Sequence, residues 1–205
     1  MTNILVFGAS ITWGAWDKEG GWVSRLRKFI DEKNISDSDY NCMIYNLGIS
    51  GDNTNYLLER LKNEVKARLS EEETIIIFSI GTNDSAASKS EVSVSIDKFK
   101  ENLKKIINIA KKHTDKIIIL GLTKVDESKT NPIPWNPSVR YINENIKRYN
   151  LELKRLAEKE NLNYINLFDL LGKEDLEDGV HPNSEGHEKI FQIIKDFLIG
   201  KEIIE

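Results

Sequence analysis

Apolar residues fall along the chain in two alternating kinds of run. Asn3 to Phe7, Cys42 to Leu47, Thr74 to Ile80, Lys116 to Leu120 and Asn163 to Phe168 are short and rich in apolar side chains, and read as strands. Thr74 to Ile80 is almost continuously apolar, which suits a central parallel strand covered on both faces. Between these runs, apolar positions recur at helical spacing. Trp22, Leu26, Phe29 and Ile30 predict a helix to about Lys33, and Leu57, Leu58, Leu61 and Val65 one over Thr54 to Leu69. Phe99, Leu103, Ile106, Ile107 and Ala110 predict a third, ending near His113. A fourth is predicted over Val139 to Lys159, and a fifth over Ser184 to Leu198, packing through Ile190, Ile193, Ile194 and Phe197. Strand and helix alternate, and crossovers of this length lay each helix on a face of a parallel sheet.

The irregular stretches come next. Gly14, Gly20 and Gly21 punctuate the loop after the first strand, with Trp13, Trp16 and Trp22 around them. These tryptophans either pack around the first helix or form an aromatic wall beside Ser10, Trp13 being best placed for the wall. Gly48 to Thr54 contains Gly48 and Gly51, the mark of a tight turn or of backbone lying close to another group. Ala86 to Ser95 is small and polar and reads as loop. Gly121 to Pro137 is the longest stretch without a period and holds Pro132, Pro134, Trp135 and Pro137. Prolines forbid a regular element there, and a long loop in a compact domain is often functional.

Composition narrows the classes. The 205 residues fit one domain over 1–205 with a sizeable core. Twenty-nine basic against 33 acidic residues leave a formal charge of −4, and the lysines scatter over helix faces, so a nucleic-acid partner is not expected. No apolar run approaches the roughly 20 residues of a membrane span, and no secretory segment opens the chain, so no membrane insertion and a cytoplasmic location are the expectations. Cys42, the single cysteine, lies in an apolar strand and reads as structural. His187 reads as packing or hydrogen bonding at the start of the last helix. No phosphate loop, Gly-x-Gly-x-x-Gly turn or zinc-protease spacing is present, so no cofactor or metal is implied. The composition does not address oligomeric state.

Four clusters fall just after predicted strands or in the final loop: Gly8-Ala9-Ser10, Gly48 to Thr54, Gly81-Thr82-Asn83-Asp84 and Asp178-Gly179-Val180-His181. In a parallel sheet the carboxyl ends of the strands share one edge, so these distant segments can meet there. A serine hydroxyl is a poor nucleophile until a base takes its proton. His181 can be that base, and Asp178, three residues earlier, can fold back through Gly179 to hold the ring. Donors for a developing oxyanion are available in the Ser10 and Gly48 amides and the Asn83 side chain. Asn83 could equally cap the segment that follows it.

Gly8-Ala9-Ser10-Ile11-Thr12-x-Gly14, Gly48 with Gly51 and Thr54, Gly81-Thr82-Asn83-Asp84, and Asp178-Gly179-Val180-His181-Pro182-Asn183 together resemble the SGNH hydrolase superfamily of GDSL-type esterases and lipases. The resemblance spans almost the whole chain. It implies a three-layer α/β/α, flavodoxin-like sandwich with a five-stranded parallel sheet. It also implies Ser10 as nucleophile, His181 as base with Asp178 as its partner, and Gly48 and Asn83 as oxyanion donors. The family usually carries aspartate before the serine, where this chain has Ala9. The Gly-x-Ser-x-Gly turn of α/β-hydrolases is absent, because Thr12 takes its last position.

The function expected is hydrolysis of small-molecule carboxylic esters through an acyl-enzyme. Trp135 or its neighbours Ile133 and Pro134 are expected to form one wall, with Trp13 opposite, of a shallow pocket for a small, acetyl-like acyl group on a larger alcohol or sugar. Alternatives with the same site are an acyltransferase and a long-chain lipase or thioesterase. An alternative of another class is a non-catalytic module binding a carbohydrate or acylated ligand.

Overall fold

A computed structural model describes residues 1–88 and 91–204. Its elements in chain order are β1 (Thr2–Gly8), α1 (Ser10–Trp13), α2 (Gly21–Ser36), β2 (Cys42–Gly48), α3 (Thr54–Lys66), β3 (Glu73–Ser79) and α4 (Thr82–Ser85). There follow β4 (Ala87–Ser88), β5 (Glu91–Val92), α5 (Ile96–Ala110), β6 (Ile117–Leu120) and α6 (Glu127–Thr130). The chain closes with β7 (Val139–Arg140), α7 (Asn143–Glu160), β8 (Asn163–Ile165), a 3₁₀ turn at Lys173–Asp175 and α8 (Ser184–Gly200).

The main sheet has five strands in the order β2-β1-β3-β6-β8, and every pairing is parallel. Alternation along the apolar strands divides the core in two. Leu5 and Phe7 of β1, Ile76 and Phe78 of β3, and Ile117 and Ile119 of β6 meet α3, α5 and α7 on one face. Ile4 and Val6, Ile75 and Ile77, and Ile118 and Leu120 meet α2 and α8 on the other. This is the expected three-layer sandwich, and it explains why β3 reads as continuously apolar.

The sheet order reverses between β1 and β3, the place where open α/β sheets take ligands. Gly8 stands in register with Gly48 on one side and Ser79 on the other, so the loops leaving β1, β2 and β3 start at one level.

Three expectations change. Val139 and Arg140 are not the start of a helix; they form β7, which pairs antiparallel with β4 beside β5 in a small second sheet. Ala86 to Ser95, expected as loop, carries β4 and β5, and its Lys89 and Ser90 lie outside the described residues. The proline-rich loop contains α6, started by the Asp126 side chain accepting from the Ser128 N–H at 3.2 Å. Among the described residues, no helix is long and apolar enough to cross a membrane.

Candidate active site

Ser10 opens the single-turn α1 immediately beyond β1, and its hydroxyl meets the ring of His181. It lies 2.8 Å from His181 Nε2. The opposite ring nitrogen, Nδ1, lies 2.7 Å from Asp178 Oδ2. Both distances fit one tautomer: Nδ1–H donates to the carboxylate and Nε2 accepts from the serine. Asp178 is folded back by its own turn, its Oδ1 accepting from the Val180 and His181 amides at 3.0 and 2.9 Å. Burial alone would raise this carboxyl; the hydrogen bonds from the His181 ring and from the two amides outweigh burial and hold it at about 2. The group is therefore an anion at neutral pH, suited to stabilising a charged imidazole.

Asn83 comes to the same edge from β3. It lies within α4, whose N-cap is Gly81, so it does not act as a helix cap. Its Nδ2 donates to the Asp52 carbonyl at 2.9 Å, and its Oδ1 accepts from the Tyr141 hydroxyl at 2.8 Å. Burial, and then the Asp178 charge, push Tyr141 up to about 12, so its hydroxyl keeps the proton it donates. These two contacts orient the amide and leave one Nδ2 hydrogen free.

Gly48 departs from the expectation. Its N–H donates to Asn46 Oδ1 at 3.0 Å, while Asn46 Nδ2 donates to the Thr12 carbonyl at 2.9 Å. A Cβ on Gly48 would stand 2.4 Å from Trp13 N and 2.8 Å from the Ala9 carbonyl. The residue is glycine because α1 packs directly on it, and its amide is already engaged. The amide of Gly51, in the same turn, donates to no group among the described residues. Gly51 precedes Asp52, whose carbonyl holds Asn83.

The neighbouring Asp84 ties the turn after β2 to α4. It is fully buried and accepts from the Thr54 amide at 3.0 Å and from the Thr54 hydroxyl. Burial pushes it up to about 6.

The tryptophans divide. Trp22 is wholly buried in the α2/α8 core. Trp135 is 54% exposed, and its ring centroid lies 6.2 Å from that of His181. Trp13 is 57% exposed, and no ring contact joins it to His181. Ile133, expected at the pocket wall, is instead 3% exposed in the core, while Pro134 is exposed. Trp16 is the residue that sequence reasoning placed least well: its indole N–H donates to Asp178 Oδ2 at 2.8 Å. Tyr141 was absent from the sequence-based set altogether. Both contacts are closed by the fold, across 162 and 58 positions, and neither has a local pattern.

Beside Ser10 lies a cavity of about 30 Å³, bordered by Ala9, Ser10, Asn83, Gly121, Leu122 and Thr123, among others. His187 is buried on α8, its Nδ1 accepting from the Trp22 amide at 3.3 Å. Cys42 is buried, and burial raises its thiol to about 11, as expected of a structural cysteine.

Residues 6–189 match the family described as GDSL-like lipase/acylhydrolase. Among solved structures, a lipase/acylhydrolase from Enterococcus faecalis is 25% identical, with a TM-score of 0.72 over 98% of this chain and 97% of that one. A GDSL-like lipase from Bacteroides thetaiotaomicron is 20% identical, with a TM-score of 0.70 over 97% and 88%. An acetylxylan esterase from Geobacillus stearothermophilus is 19% identical, with a TM-score of 0.69 over 96% and 92%. That esterase has also been solved as catalytic mutants at a histidine and at an aspartate. No curated protein matches the chain significantly.

Proposed function

Because the chain belongs to the GDSL-like lipase/acylhydrolase family and is an ester-hydrolysing enzyme, we propose that it is a serine esterase for short acyl groups, using Ser10, His181 and Asp178. The observation that carries this reading is the relay of 2.8 Å from Ser10 Oγ to His181 Nε2 and 2.7 Å from Nδ1 to Asp178. Ser10 Oγ attacks the acyl carbon as its proton passes to Nε2, and the carbonyl electrons move onto oxygen. Collapse breaks the ester C–O bond, and the departing alkoxide takes the proton from Nε2. Water then gives a proton to Nε2 and attacks the acyl-enzyme; the acid leaves as Oγ recovers its proton. Asp178 stays ionised and holds the ring throughout.

The donors for the oxyanion are the Ser10 N–H and the free hydrogen of Asn83 Nδ2. In this reading the third donor is the Gly51 amide, because Gly48 is engaged by Asn46. The cavity beside Ser10 has room for about one water-sized group. That supports an acetyl-like acyl group, with the larger alcohol lying toward the exposed Trp135. The acetylxylan esterase of the same fold accords with this substrate class.

The test is turnover of p-nitrophenyl acetate by Ser10→Ala. The rate should fall by several orders of magnitude while the melting transition is kept. Undiminished turnover in pure variant protein removes the serine from the reaction.

A further inference from the structure

Trp16 occupies a position that packing does not explain. It is 65% exposed, so it fills no core. Its backbone sits at φ 66°, a region that L side chains rarely take and that glycine would enter freely. The loop holding it there is anchored on its C-terminal side. The following residue, Asp17, pairs with Arg25 and accepts from the Gly21 amide at 2.9 Å. Arg25 in turn reaches Ser184 Oγ at 2.8 Å and Glu188 at 3.0 Å on α8, the helix that begins just after His181. The strained residue is thus tied to the same part of the chain that carries the base.

The strain places the indole where it meets the Asp–His pair. Nε1 lies 2.8 Å from Asp178 Oδ2 and 3.2 Å from His181 Nδ1. Nδ1 carries the proton given to Asp178, so the carboxylate is the acceptor. With the Val180 amide, the His181 amide and the His181 ring, the indole brings the hydrogen bonds on Asp178 to four. The Trp16 ring also stands edge-on to the His181 ring, with centroids 6.0 Å apart and planes at 88°.

We propose that Trp16 is a positioning residue for the Asp178–His181 pair. Its N–H pins Oδ2 on the line to Nδ1, and its ring shields the open side of the pair from water. The proposal rests on the serine-esterase reading of the site. It assigns Trp16 no contact with the reacting acyl group, so its loss should slow the chemical step without weakening substrate binding. A role as a pocket wall predicts the reverse.

The variant Trp16→Phe keeps an aromatic ring and removes the N–H. On p-nitrophenyl acetate, kcat should fall about tenfold with KM changed less than about twofold, and the melting temperature should stay near that of the wild type. In proton NMR, the low-field His181 Nδ1–H resonance should move in W16F. The Trp16 indole N–H resonance should likewise move in Asp178→Asn, a measurement that needs no Trp16 variant to fold. Unchanged kcat, a raised KM with kcat intact, or an indole resonance indifferent to D178N each overturn the proposal. If S10A retains turnover, the reading of the site fails. If S10A is inactive and W16F is not slowed, the site stands and only the positioning role falls.

Discussion

In the proposed site, Asn83 presents one hydrogen to the oxyanion because its other polar atoms are engaged. Asp52 takes one Nδ2 hydrogen, and the Tyr141 hydroxyl fixes which end of the amide is oxygen. A preorganised donor costs no reorientation when charge develops, and removing one typically costs about 2.7–4 kcal/mol, or roughly 10²–10³ in rate. Asn83→Ala should show that loss in kcat, measured on p-nitrophenyl acetate, with the fold kept. Loss of stability without loss of rate would make the residue purely structural. At this scale the sequence was informative wherever residues lie close together. Asp178 and His181 are three apart, and a turn through Gly179 accounts for their meeting. From the sequence Gly48 is expected as an oxyanion donor, because nothing in it shows that the Asn46 side chain, two residues earlier, engages the Gly48 amide. Trp16 and Tyr141 reach the site from remote segments, where no spacing rule applies.

Among the elements, the loop between β6 and α7 is the one that the proposed function ties to substrate choice. It returns over the sheet edge, buries Ile133 and leaves Trp135 beside His181. The acyl site proposed above, the cavity of about 30 Å³ beside Ser10, is expected to take acetyl and to crowd longer chains. Each methylene that an apolar pocket accepts contributes about 0.8 kcal/mol, and those it cannot accept gain nothing. Specificity constants across p-nitrophenyl esters from acetate to decanoate should fall beyond butyrate. Trp135→Ala should alter that profile more than it alters the rate on acetate. A steady rise to octanoate would contradict the short-acyl reading, and an unchanged profile would leave Trp135 as a surface residue. The long helices and the five main strands were readable because their periods persist over many residues. β4, β5 and β7 were not, since two-residue strands carry no period and exist only by pairing with one another.

Across the whole molecule, two buried groups, His187 on α8 and Asp84 in α4, respond to acid in opposite senses. His187 is held neutral on α8, lowered to about 4 by burial from an ordinary 6.5. Its contribution is therefore complete above about pH 6.5 and is lost as pH falls toward 4. Asp84 acts in the opposite sense. Its carboxyl is raised from 3.8 to about 6, so the folded state keeps a proton that the unfolded chain releases, and stability is lost as pH rises across that interval. Between about pH 4 and 6 the two offset each other. Denaturant unfolding should separate them: Asp84→Asn should gain stability with rising pH there, and His187→Gln should lose it. Slopes of the same sign in both variants would contradict this assignment. Asp178 and Asp17, both lowered, add stability that is lost only below the ordinary carboxylate range. A parallel sheet with helices on its faces was legible in the alternation of strand and helix and in the continuous apolarity of Thr74 to Ile80, while the three-layer, five-stranded form came from the family resemblance.

A fluorophosphonate tests, without knowledge of the substrate, the proposal that the fold makes Ser10 a nucleophile through His181 and Asp178. Only an activated serine displaces the fluoride and keeps the phosphonyl group. Intact-mass measurement of the treated protein should show a single adduct, and peptide mapping should locate it on Ser10. The adduct should be absent in His181→Ala, which leaves the serine in place without its base. A folded wild-type protein that remains unlabelled, or that is labelled at another residue, would contradict the account.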